Sequence, residues 1–121
     1  MSTLKVERLF PSFVQEKVSE MTSHIAWYGD LTGTEAELLL RGKPDMTYLL
    51  RKGEKEDHFY LTYVKDECYY THIPFTVNHN LQQWFYMNAK PRFAASLERF
   101  IPDIMHAEAT RCFPLVPFKG A

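Results

Sequence analysis

Hydrophobic residues near the start of the chain recur at helical spacing. This pattern predicts a short amphipathic helix over residues 11–21, with Pro11 in the first turn, where a missing N–H is tolerated. The apolar stripe of this helix consists of Phe13, Val14, Val18 and Met21. We expect the stripe to cover a sheet or another helix rather than to form an exposed surface for a partner.

A second helix is marked by signals at both of its ends. Thr32 and Glu35 have the spacing of a capping box, and residues 35–41, EAELLLR, are strongly helix-forming. Gly42 and Pro44 supply the stop. The sequence therefore predicts a helix over about residues 33–41.

Three β-prone segments follow, and in the second of them Phe59, Leu61 and Tyr63 alternate with Tyr60, Thr62 and Val64. The three segments cover residues 46–52, 58–64 and 68–75, and the polar connections between them are short. Such an order predicts an antiparallel meander. Residues 76–83, TVNHNLQQ, are predicted to form a polar loop, and residues 84–87, WFYM, a short further strand.

The last helical pattern covers residues 96–106. Its apolar stripe consists of Leu97, Phe100, Ile101, Ile104 and Met105. Pro102 lies inside the pattern and is expected to kink the helix or to delay its start. A short extended segment is predicted at residues 111–118. The whole order predicts an α+β fold: a central antiparallel three-strand meander with a small extra sheet, one helix on each face and an N-terminal helical extension.

Composition narrows the class of protein. A chain of 121 residues is one domain, and 15% aromatic residues favour a fold that contains strands. The net charge of −1 attracts neither nucleic acid nor an anionic membrane, so any anion would be recognised by a local cluster. No apolar stretch is long enough for a membrane span, and the N-terminus lacks a secretory apolar core, so a soluble chain is expected. Cys68 and Cys112 show no spacing typical of a zinc site or a disulfide framework, which favours a reduced, cytoplasmic setting.

Arg51 occupies an unusual position for a charged residue. The run TYLLRKGEKED, residues 47–57, ends an apolar strand in this arginine, which is costly unless a negative group meets it. A guanidinium is a planar fork of donors that matches two phosphate oxygens. An ion pair with Glu54 or Asp57 is the alternative, and Arg51 taken alone fits both equally.

Several motifs surround this arginine in a fixed order. Trp27 and Tyr28 lead into AELLL at residues 36–40, GKPDM at 42–46 and YLLR at 48–51. In order and spacing these motifs resemble the Src homology 2 (SH2) family, the phosphotyrosine-binding modules. With this resemblance, phosphate binding is the favoured role of Arg51.

The later segments resemble the same family more loosely. They are FYLTYV, YYTHI, WFYM, RFAASLERFI and CFPLVPF. The resemblance covers roughly residues 26–118. We therefore expect an N-terminal helical extension at 1–25, an SH2-like domain at 26–118 and a tail at 119–121.

The resemblance implies a phosphate pocket with Arg51 as its main ligand. Backbone N–H groups at Gly53 and its neighbours would form an anion nest that closes over the phosphate. The helpers expected around Arg51 are Lys52, Gly53, Lys55, Thr62 and His72.

Four positions depart from the family pattern. Gly33 stands where a second arginine is frequent, Gly53 where a loop serine is usual, and Tyr70 where a histidine is common. Thr71 stands where an aromatic residue often shapes the peptide groove. With Tyr70, Thr71 and Ile73 as the expected groove residues, we hypothesise an open, shallow groove and weak sequence selectivity.

Other chemistry is not indicated. The histidines His58, His72 and His79 lack the spacing of metal ligands, and no cofactor is expected. Cys112 has no partner histidine in the pattern, so a phosphatase is disfavoured and no enzyme is expected. The predicted function is that of a signalling adaptor whose partner is a tyrosine-phosphorylated protein or peptide, without nucleic acid. The alternative is a phosphate-independent interaction scaffold that keeps the fold and has lost the pocket.

Overall fold

The computed structural model describes residues 12–66, 68–88 and 90–117. The order of elements is α1 (Ser12–Thr22), α2 (Gly33–Leu40), β1 (Thr47–Lys52), β2 (His58–Lys65), β3 (Tyr69–Asn78), β4 (Gln83–Tyr86), β5 (Arg92–Ala94), α3 (Leu97–Ile104), a 3-10 turn (Ala109–Arg111) and β6 (Phe113–Pro114). Over these described ranges, the mixed α+β arrangement with three helices and a mainly antiparallel sheet confirms the predicted fold class.

The sheet is built around the expected meander. Its strand order is β5-β4-β3-β2-β1-β6, and the central β2 is antiparallel to both β1 and β3. The short segment at β6 pairs with β1 in parallel. The extra strands β4 and β5 continue the same sheet from the end of β3, so one six-stranded sheet results.

Two details of the strands differ from the prediction. Residues 76–78 were expected in a polar loop, but they extend β3 and pair with β4. The strand β5 was not expected at all, because its three residues are too few to show an alternating pattern. In both places the pairing partner, rather than local composition, determines the strand.

The helix ends follow the local signals. The Thr32 side chain accepts a hydrogen bond from the Glu35 N–H, and the Glu35 carboxylate accepts one from the Thr32 N–H, which completes the predicted capping box. Helix α3 begins at Leu97 with Ser96 as its cap, so Pro102 does not delay its start and lies in its last turn.

The two faces of the sheet are covered differently. The main core lies between the sheet, α3 and α1, and its largest fully buried side chain is Trp84. Val14 and Met21 of α1 are fully buried, which confirms that the N-terminal stripe covers the domain. A smaller cluster lies under α2 on the other face and consists of Ala36, Leu40, Leu49 and Val64. The predicted tail at 119–121 and the start of the helical extension lie outside the described residues.

Candidate functional site

Arg51 lies near the end of β1 on the face of the sheet that α2 covers. Only 8% of its surface is exposed, and among the described residues it is the one charged residue classed as buried. Its Nε donates to Thr62 Oγ1 at 3.1 Å and its Nη1 to the Leu31 carbonyl at 3.3 Å. Within the described ranges Arg51 makes no ion pair, so the alternative of pairing with Glu54 or Asp57 is not observed.

The third donor of Arg51 reaches His72. Nη2 of Arg51 lies 3.2 Å from His72 Nδ1, and the hydroxyl of Thr62 lies 3.0 Å from the same nitrogen. Because a guanidinium only donates, this Nδ1 must accept, and the ring proton is on Nε2. Nε2 then donates to Glu37 Oε2 at 2.7 Å. His72 is thus brought to Arg51, as expected, but it contributes an acceptor rather than a second cation.

Tyr60 is a contact of Arg51 that sequence reasoning did not assign to the site. It is the cross-strand partner of Arg51, and its ring centroid lies 4.3 Å from the guanidinium carbon. This is a cation–π contact, in which the ring covers one side of the guanidinium. Burial lowers the pKa of Arg51 from its ordinary value and the charge interaction with Tyr60 opposes this, but the group stays protonated.

The loop after β1 is held by its own backbone. Gly53 N donates to the His58 carbonyl at 2.9 Å, so this amide is engaged within the loop and not open to an anion as we expected. A Cβ at Gly53 would lie 2.5 Å from the same carbonyl oxygen, which explains why no serine occupies this position. Lys55 is exposed on the loop. Lys52 is also exposed, and strand alternation places it on the opposite face of β1 from Arg51.

Asp57 closes the same loop against β3. Its carboxylate oxygens lie 2.8 Å from His58 Nδ1 and 3.0 Å from His79 Nε2, and its carbonyl accepts from Thr76 Oγ1 at 2.6 Å. Burial alone would raise the pKa of Asp57, but hydrogen bonds from His79 and His58 and the charge interaction with His58 hold it below the ordinary value. The negative charge is therefore directed at two histidines. In the part of the chain that the structure describes, no group of three ligands fits a metal ion.

The three expected groove residues do not share one surface. Ile73 is 5% exposed and belongs to the main core, where it pairs with Leu61. Thr71 is on the same face as Ile73, whereas Tyr70 is on the α2 face and packs against the smaller cluster.

A cleft of about 240 Å³ lies beside the loop. Its lining consists of Glu54, Lys55, His58, Phe59, Tyr60, Pro74 and Phe75. Arg51 does not line this cleft, and Tyr60 contacts both the cleft and the guanidinium.

Cys112 lies apart from this site, in a larger cleft of about 380 Å³ between the ends of α1 and α3. Its Sγ donates to the Glu108 carbonyl at 3.5 Å. Burial raises the pKa of the thiol, which disfavours the thiolate that a nucleophile requires.

The fold and this site together define a small α+β domain that has its buried cation on one face of the sheet and its aromatic core on the other. No helix in the described ranges is long and apolar enough to cross a membrane.

Comparison with known proteins then identifies the family. The family model of the SH2 domain matches residues 27–102, and the chain belongs to this family. The solution structure of the SH2 domain of a CRK/CRKL homolog from Monosiga brevicollis is similar, with a TM-score of 0.57 and 20% identity over 71% of this chain and 78% of that one. None of the curated proteins matches the chain. SH2 domains bind phosphotyrosine peptides in signalling adaptors and are in general binding modules rather than enzymes.

Proposed function

We propose that this protein binds tyrosine-phosphorylated peptides or proteins as an intracellular adaptor, with Arg51 as the ligand of the phosphate. The observation that supports this most is the state of Arg51 itself. Its charge is buried and oriented by Thr62, Leu31 and His72, and none of these three partners carries a compensating negative charge. An anion is the group that such a buried cation lacks.

Binding would exchange hydrogen bonds rather than add them. The bond from Nη1 to the Leu31 carbonyl is long at 3.3 Å, so this donor is the one most easily released. A phosphate oxygen would replace the neutral carbonyl by a charge-assisted bond, which contributes ~1.5–3 kcal/mol. Thr62, which holds Nε from within the sheet, would keep the guanidinium in place.

The loop and Tyr60 control access to the guanidinium. Tyr60 would have to turn away so that the phosphate could pass from the neighbouring cleft to Arg51. Lys55 at the cleft would add positive charge, and Gly53 would contribute its amide only after its bond to His58 opens. His72 would complete the set of helpers, whereas Lys52, which we had expected to contribute, lies on the opposite face of β1.

The proposed selectivity for sequence around the phosphotyrosine is weak. The burial of Ile73 removes it as a contact, and Thr71, on the face of the sheet opposite Arg51, offers only a short polar side chain. Binding would then depend mainly on the phosphotyrosine itself. A degenerate phosphopeptide array should show no sharply preferred flanking hydrophobic residue.

A phosphate-independent scaffold is the second candidate, and one observation favours it. Every nitrogen of the Arg51 guanidinium already has a hydrogen-bond partner within the protein, so the site is satisfied without a ligand. In that case a partner would be bound elsewhere on the surface and phosphorylation would not matter.

Titration of a phosphotyrosine peptide pool against its unphosphorylated twin separates the two functions. We expect phosphate-dependent binding that Arg51→Ala weakens by at least about thirtyfold, because loss of a buried charged partner costs roughly 2–5 kcal/mol. Arg99→Ala, at an exposed arginine of α3 on the other face, is the matched control and should bind as the wild type does. Equal affinity for both peptide pools would overturn the proposal and support the scaffold.

A further inference from the structure

Helix α2 presents Gly33 and Glu37 to the buried arginine network. The two positions are one helical turn apart and therefore share a face of α2. A Cβ at Gly33 would lie 3.5 Å from Arg51 Nη2 and 3.4 Å from His72 Cε1, so the helix passes directly over these groups. Glu37 places a carboxylate on the same side, 2.7 Å from His72 Nε2.

A continuous chain of hydrogen bonds connects Glu37 to Arg51. The carboxylate accepts a hydrogen bond from His72 Nε2–H, and His72 Nδ1 accepts one from Arg51 Nη2. One imidazole ring therefore separates the carboxylate from the guanidinium. Since a charged acceptor polarises the ring, Glu37 strengthens the hold of His72 on Arg51.

The same carboxylate opposes a phosphate dianion. Only one imidazole ring separates the Glu37 carboxylate from the guanidinium, so its repulsion of a phosphate on Arg51 would act over roughly one Debye length, about 8 Å at physiological ionic strength, and would be incompletely screened. The Glu37 side chain is 44% exposed, which leaves it accessible to a ligand as well as to water. Among the described residues no arginine pairs with Glu37, and Gly33 occupies the helix position where the family frequently has a second arginine.

We propose that Glu37 determines which phosphopeptides the site accepts: it weakens binding of phosphotyrosine that lacks a basic neighbour and favours phosphotyrosine flanked by lysine or arginine. The basic side chain neutralises Glu37 while the phosphate occupies Arg51. This inference rests on the proposed function, since it concerns the selectivity of the same site.

The test combines changes in the protein with changes in the peptide. Three phosphotyrosine peptides that carry alanine, lysine or glutamate on both sides of the phosphotyrosine are titrated against the wild type and Glu37→Gln. Glutamine keeps an oxygen that can accept from His72 Nε2 and removes only the charge. We expect Glu37→Gln to bind the alanine-flanked peptide about three- to tenfold more tightly at low salt, with a smaller gain at high salt. The preference of the wild type for the lysine-flanked peptide, about threefold or more, should disappear in Glu37→Gln.

Two further variants keep the outcome decisive. Glu98→Gln removes an exposed acid of α3 on the other face of the sheet and should leave all three affinities unchanged. Glu37→Ala removes both the charge and the hydrogen bond, and it should retain the loss of lysine preference. Phosphate-dependent binding with equal peptide preferences in the wild type and Glu37→Gln would overturn this inference alone. Absence of phosphate-dependent binding in the wild type and in Glu37→Gln would overturn it together with the proposed function.

Discussion

The two faces of the sheet are built from different kinds of contact. Towards α1 and α3, aromatic rings pack directly on one another, as Phe75 and Phe100 do with ring centroids 5.2 Å apart. Towards α2, the apolar cluster is small, and next to it lies a polar network in which Arg51, Thr62 and His72 bind one another. Burial of aromatic surface is non-directional and stabilises the fold, whereas a buried polar network fixes the orientation of particular atoms.

This difference shows on which face of the sheet a ligand can bind without disrupting the fold. In the described part of the chain, no buried side-chain nitrogen or oxygen lacks a hydrogen-bond partner. A ligand on the α2 face therefore exchanges partners within the network, while the aromatic face remains intact. Changes on the aromatic face should alter the free energy of unfolding, and changes on the α2 face should alter binding as well.

Phe100→Ala is expected to have the largest effect. Phe100 is fully buried and contacts both Phe75 and Trp84, so its truncation should lower the free energy of unfolding by about 3–5 kcal/mol. Urea denaturation measures this, and phosphopeptide affinity of the folded fraction should stay unchanged. The exposed Leu38→Ala is the control. A loss below about 1 kcal/mol would mean that the aromatic face is not the main source of stability.

Gly53→Ser tests the loop beside the α2 face. Although a serine is usual at this place in the family, its Cβ would collide with the His58 carbonyl, so we expect a loss of roughly 1–3 kcal/mol in the free energy of unfolding. Thermal unfolding measures the loss. A more stable variant that binds phosphate more tightly would show that the loop adopts another conformation.

Thr62→Val should lower both the free energy of unfolding and the affinity for a phosphopeptide. The substitution keeps the shape of a fully buried side chain but leaves Arg51 Nε without its acceptor, which costs about 1–2 kcal/mol of stability. Because the guanidinium loses its anchor, affinity for a phosphopeptide should fall by roughly tenfold. Thr47→Val, at the start of β1 and away from Arg51, removes a buried hydroxyl that donates to the Pro44 carbonyl and serves as the control. Unchanged affinity in Thr62→Val would remove Thr62 from the site.

His24 should produce the smallest effect, which depends on pH. Burial lowers the pKa of His24 from its ordinary value of 6.5, more than the charge of Glu20 raises it, and its Nδ1 accepts from the Ala26 N–H. Since the unfolded chain binds the proton more readily, stability is fully present above pH 6.5 and declines as the pH falls towards the lowered pKa. His24→Gln should flatten this decline in the free energy of unfolding. The same slope in both proteins would assign the decline to another group.

The elements that the sequence predicts correctly are those specified by neighbouring residues in the chain. Thr32, Glu35 and Gly42 specify the bounds of α2 through capping and a positive φ of 77° at Gly42. The strand that ends near Arg51 was predicted from its apolar, β-prone run of residues. By contrast, β5 and the end of β3 exist because they pair with β4, and pairing across the chain leaves little trace in local composition.

For the proposed site, the sequence pointed to the buried arginine more clearly than to the residues around it. Arg51 stood out because a charge ends an apolar strand, whereas Thr62 and His72 were expected from the resemblance to the SH2 family, with which their strand alternation is compatible. Tyr60 was missed since its role depends on its pairing with Arg51 across two strands. Glu37 carried a signal that could have been used: it lies one turn after Gly33 on the helix face that meets the sheet.

The most direct test of phosphate binding at Arg51 follows signals from both faces of the sheet while a ligand binds. Side-chain N–H signals of Arg51 Nε and Trp84 Nε1 would be followed by NMR during titration with a phosphotyrosine peptide. If the peptide binds at Arg51, we expect the Arg51 signal to shift saturably and the Trp84 signal, from the aromatic core, to stay in place. A shift of the Trp84 signal with an unchanged Arg51 signal would place binding on the other face of the sheet and contradict the proposed role of Arg51.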